Sequence, residues 1–122
     1  MGLDMFAYVT KTAINRVVDF REPPDLKELH YWRKHPNLHG WMENLYHFKN
    51  GARDEFNLTP VALTLDDLAS LERDIKGGSL PQTIGFFFGE STGLERDDDL
   101  AFVAKARRAI AEGKTVYYVA WW

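Results

Sequence analysis

Three of the four histidines, two of the four tryptophans and an adjacent Arg-Lys pair fall between His30 and Trp41. Cations hold anions, and indole or phenol rings stack on planar groups. The segment therefore reads as a binding surface for a small anionic ligand or a host protein. Its binding residues would be Tyr31, Trp32, Arg33, Lys34, His39 and Trp41. The competing reading is a helix-turn-helix corner whose rings are core and whose cations are solvated. Gly40 lies inside a helical pattern, where glycine costs on the order of 1 kcal/mol relative to alanine. Close approach of a neighbouring element or a ligand would account for it.

Other residues carry further chemical options. Asp4 stands in an otherwise apolar first segment and can serve as a base or bind an arginine. It joins the candidate ligand-binding set. His39, Glu43 and His47 are spaced i, i+4, i+8 and share one face of a helix. Imidazole and carboxylate suit zinc, but the spacing is not His-Glu-x-x-His and no fourth ligand is identifiable. A solvated face is the stronger reading, and no metal or other cofactor is expected. Gly89 follows an apolar run and opens a turn with Glu90 and Ser91, which is neither a P-loop nor a dinucleotide fingerprint. No Gly-x-Ser-x-Gly elbow is present. Trp121 and Trp122 end a strand and point to opposite faces. One can cap the core; the other is exposed, stacks on a ligand or enters a subunit contact, so a homo-oligomer is expected.

These residues need elements to position them. Leu3–Thr10 alternates with period two and predicts a strand. Arg16–Phe20 is a second short strand, paired with the first as an antiparallel hairpin. Pro23-Pro24 breaks the chain, and Asp25 with Glu28 starts a short helix reaching Lys34. Leu38, Trp41, Leu45 and Phe48 predict a helix over Pro36–Lys49. Leu58–Leu63 reads as an edge strand, and Thr64 caps a helix that Gly77-Gly78 stop. Thr83–Phe88 is a buried strand. Asp97, Asp98 and Asp99 sit where acids favour a helix start, and that helix ends at Gly113. Thr115–Trp122 is the last strand. The expected fold is α+β: one domain over residues 1–122, with one mixed sheet of about five strands and about four helices. The order is β-β-α-α-β-α-β-α-β, with parallel crossovers near the C-terminus.

Composition narrows the function classes. The chain has 122 residues, 45% hydrophobic and 27% charged, with eight Phe, five Tyr and four Trp. That is an ordinary globular composition, not that of a disordered or fibrous chain. Cysteine is absent, which removes disulfides, thiolate metal sites and a cysteine nucleophile and fits a cytoplasmic location. A net charge of −3 argues against general nucleic-acid binding. The longest apolar runs are far shorter than the roughly 18 residues that span a bilayer, so no membrane partner is expected. The first residues lack the basic region of a secretory signal, and Phe6 stands where a myristoylation motif needs Ser or Thr.

The opening Met1–Met5, Tyr31-Trp32-Arg33-Lys34, Leu38-His39-Gly40-Trp41-Met42 and Gly85–Gly89 together resemble a family of small uncharacterised bacterial proteins, characteristically of phages and prophages. The resemblance covers nearly the full length. It implies a phage-related origin and adds weight to these blocks as a site, but it carries over no catalytic residue. A phosphoglycerate-kinase label, borne by some such proteins, finds no nucleotide motif here.

Three functions follow. The first is an accessory protein that binds through the Tyr31–Trp41 surface. The second is a small enzyme on a phosphorylated or nucleotide-like substrate, with Arg33 and Lys34 on the anion and His39 with Asp4 moving protons. The third is an assembly protein using Trp121 and Trp122. Convergence of Asp4, Arg33, Lys34 and His39 in one concavity would favour a small ligand or an enzyme.

Overall fold

The computed structural model describes residues 2–83 and 94–122. Among these, four strands and three helices run in the order β1 (Asp4–Thr10), β2 (Lys27–Arg33), α1 (Pro36–Phe48), β3 (Val61–Leu63), α2 (Leu65–Gly77), α3 (Arg96–Ala111) and β4 (Thr115–Trp121). The fold is α+β, as the residue pattern predicts.

The sheet order is β2-β1-β4-β3. Among the described residues all three pairings are antiparallel, which corrects the expected mixed sheet there, while the expected parallel crossovers run through a strand almost wholly outside the described residues. Val116 through Ala120 are all buried, which suits a strand covered on both faces, and β4 sits inside the sheet between β1 and β3.

The expected helix from Asp25 to Lys34 is strand β2 instead. His30 and Trp32 turn toward the helices, while Tyr31 and Arg33 turn away. Aromatic residues favour that pleated surface, and pairing with β1 overrides the helix-start signal. A bulge opposite Ala7/Tyr8 adjusts the register. Asp25, read as a helix cap, accepts from Thr10 Oγ1 at 2.5 Å, Thr12 Oγ1 at 2.7 Å and the Lys11 amide at 3.0 Å.

The expected strand over Arg16–Phe20 reduces to one bridge, Val18 to Val61. Asp19 takes a positive φ of 53° and bends the chain away. Lys11 through Leu26 thus form a long surface loop. The fifth expected strand falls almost wholly on residues 84–93, outside the described residues, as do Gly85, Glu90 and Ser91.

Helices α1 and α2 match expectation closely. Thr64 Oγ1 accepts from the Asp67 amide at 3.1 Å, and Asp67 accepts from the Thr64 amide at 2.9 Å, a reciprocal capping box. Gly78 closes α2 at a φ of 67°. The close approach inferred at Gly40 is real: a Cβ there would lie 1.9 Å from Thr83 Oγ1.

The helices cover one sheet face. Leu3, Met5, Trp32, Tyr118 and Val116 meet Leu38, Met42, Leu71 and Phe102 in the main core. The opposite face has a smaller cluster, Ala62, Tyr117 and Val119, under Ile14, Phe20 and Leu26 of the long loop. The loop covers only the end of that face near Tyr8 and Tyr117. No helix among the described residues is long and apolar enough to cross a membrane.

Candidate functional site: the uncovered sheet face

Among the described residues no element covers the other end of that face, and β1 is its axis. Asp4 pairs with Arg33 on one side and Trp121 on the other, and Phe6 pairs with Tyr31 and Val119. Paired residues on neighbouring strands share a face, so Asp4, Phe6, Tyr31, Arg33 and Trp121 are brought together. The Tyr31 hydroxyl donates to Asp4 Oδ1 at 2.6 Å, and the Trp121 indole N–H donates to Asp4 Oδ2 at 3.0 Å. Phe6 lies between the two rings, 5.1 Å from Tyr31 and 6.0 Å from Trp121.

Tyr31 is 41% exposed and Trp121 51%. Large rings are seldom left this open in a group, and here one carboxylate fixes both. Their hydrogen bonds hold the Asp4 carboxyl below the usual carboxylate range, Tyr31 contributing most, then Trp121. Both Asp4 oxygens are thus engaged as acceptors. The Arg33 guanidinium is exposed and enters no ion pair among the described residues.

The remaining candidates are placed elsewhere. Trp32 is buried on the helical face, where its indole donates to Asp99 at 3.0 Å. Lys34 has a φ of 56°, and its amide donates to the Leu3 carbonyl at 2.9 Å. Its side chain is exposed near Gly2. Trp41 packs against the main core and donates to Asp74 at 2.8 Å. His39 is 1% exposed, with Nδ1 2.7 Å from the Tyr118 hydroxyl. Burial depresses its pKa to about 4. His39 and Asp4 thus lie on opposite sides of the sheet, and the expected proton-transfer pair is not assembled. His39 is also sequestered from the exposed His47, so the His39, Glu43, His47 face does not form a ligand set. No group of three metal-ligating side chains occurs among the described residues. Of the terminal pair, Trp121 is the exposed ring. Trp122 caps the core, its indole donating to the Phe56 carbonyl at 3.1 Å.

A second polar cluster escaped the sequence reading. Asp99, 1% exposed, accepts from Trp32 and sits 2.7 Å from His35 Nε2. His30 lies between Asp98 at 2.9 Å and Lys105 at 2.8 Å. An ammonium only donates, so His30 Nδ1 accepts from Lys105 and its proton sits on Nε2, toward Asp98. The signal was in the sequence: Asp99 falls on the same inward stripe as Phe102, Val103 and Ala106. It was read only as a helix-start acid. This cluster ties α3 to β2.

Comparison with family models, curated proteins and solved structures finds no match.

Proposed function

We propose that this chain is a binding protein that recognises a partner protein through the uncovered sheet face. The observation that carries this reading is the exposed Tyr31–Trp121 pair, fixed by Asp4 and flanked by Arg33. Tyrosine, tryptophan and arginine dominate binding energy at protein interfaces. Their geometry here costs little ordering on association, because Asp4 already holds both rings. The partner presents an apolar side chain to the rings and a carboxylate to Arg33.

The small-ligand reading of the same residues has less support. The four principal cavities of the described residues are lined by none of Asp4, Tyr31, Arg33 and Trp121. A flat aromatic patch suits a protein surface better than a metabolite. A cytoplasmic role as a phage or prophage accessory is part of this proposal, resting on the lack of cysteine and the sequence blocks.

The test compares wild type with Arg33→Glu and Trp121→Ala, using Phe48→Ala as a control at a separate exposed ring. Both patch variants should lose stable partner capture by at least about tenfold while stability changes by less than about 1 kcal/mol. Retained capture in both would reject the reading. Light scattering on the free protein separates the competing occupant, a second copy: a dimer dissociated by Arg33→Glu would replace the hetero-partner with self-association.

A further inference from the structure

The Lys11–Leu26 loop borders an open cavity of about 660 Å³. Ile14 and Phe20 line it, and both pack down onto the sheet. Arg16, Asp19, Arg21 and Glu22 supply its charges. We propose that this cavity binds a small phosphorylated molecule, with Arg16 and Arg21 on the phosphate.

The fold holds this loop at four places. Asp25 ties its neck to Thr10, Lys11 and Thr12. The Val17 carbonyl accepts from the Ala62 amide at 2.8 Å, beside the Val18–Val61 bridge. Asp19 accepts from the Tyr46 hydroxyl and, at 2.8 Å, from the Ala52 amide. Glu22 accepts from the Tyr117 hydroxyl at 3.1 Å. A loop tethered this way has paid its ordering entropy before any ligand arrives.

The tethers also sort the charges. Both Asp19 oxygens already have donors, and Glu22 has one. Arg16 and Arg21 are exposed and form no ion pair or hydrogen bond among the described residues. Arg16 acts on Asp19 only through space. The charged groups of the cavity left without a hydrogen-bond partner are therefore the two guanidinium groups. Two guanidinium forks match the three acceptor oxygens of a phosphate monoester better than a single carboxylate, which one fork satisfies. The volume exceeds what a phosphate fills and falls in the range of small-molecule sites. The apolar floor of Ile14 and Phe20 gives the rest of the molecule a surface. This site shares no residue with the open face around Tyr31.

The experiment follows the arginine Nε–H resonances of the full chain during titration with inorganic phosphate and with phenyl phosphate at constant ionic strength. Arg16 and Arg21 should shift saturably, and phenyl phosphate should bind at least about tenfold more tightly than inorganic phosphate. Arg16→Gln with Arg21→Gln should weaken phenyl phosphate at least about tenfold. Arg16→Lys with Arg21→Lys keeps the charge, guards against a folding defect, and should also weaken it. Arg108→Gln on α3 and Arg33→Glu should leave affinity unchanged, which separates this site from the proposed partner surface. Non-saturating shifts, or a loss of affinity equal in the Arg108→Gln variant, would overturn the proposal.

Discussion

At the residue scale, burial and pairing decide what each polar side chain does. His39 is the clearest case. An imidazole excluded from water loses the hydration of its charged form, so its pKa falls to about 4 in the folded chain. The unfolded chain, near 6.5, binds more protons between those values. Stability from this residue is fully present above about pH 6.5 and is lost as pH falls toward 4, by on the order of 3 kcal/mol. Denaturant midpoints measured across that interval should show the loss, and His39→Gln should flatten it. An unchanged slope in the variant would mean that His39 titrates normally. Asp99 is the converse, a buried acceptor for Trp32 and close partner of His35. Removing it strands those groups, so Asp99→Ala should cost about 3–5 kcal/mol by urea unfolding. A cost below about 1 kcal/mol, the range of ordinary surface substitutions, would contradict the network. Asp4 is exposed enough that its removal should act on geometry rather than stability. Asp4→Ala should move the Trp121 indole N–H resonance and leave those of Trp32 and Trp122 in place. No movement would detach Asp4 from the proposed surface.

At the element scale, local signals were legible where one residue or one stripe decides the outcome. Thr64 announced α2, and the Leu38–Leu45 spacing announced α1. Thr64→Ala should lower stability by about 1 kcal/mol, read from the thermal midpoint. Gly40 announced a close contact but not its partner, since Thr83 is distant in sequence. Gly40→Ala should destabilise by about 1–3 kcal/mol, and adding Thr83→Ala should recover part of that by clearing Oγ1 and Cγ2. Absence of any recovery would place the strain elsewhere. The signals failed where long-range pairing chose between states. Leu26, Leu29 and Trp32 carry a helix-like spacing, yet β1 claims Lys27–Arg33 as a strand. That one change moves Trp32 into the core and leaves Tyr31 and Arg33 outside. The candidate site was therefore half legible: Asp4, Tyr31, Arg33 and Trp121 were named from sequence, but only the register joins them. Phe6, which lies between the rings, was missed because a strand phenylalanine ordinarily reads as core.

At the scale of the whole molecule, the two faces of one antiparallel sheet divide the work. Three helices bury one face, with β1 and β4 at its centre. The other face is shared between the tethered loop at one end and the open aromatic patch at the other. That division sets the proposed ligand cavity and the proposed partner surface at opposite ends of one face. The most direct measurement of the partner surface is photo-crosslinking in cells from a benzophenone residue at position 31, with position 48 as the control. The account predicts one discrete hetero-adduct from position 31, absent from position 48 and abolished by Arg33→Glu. No adduct from position 31, equal yields from both positions, or an adduct of two copies of this chain would contradict it.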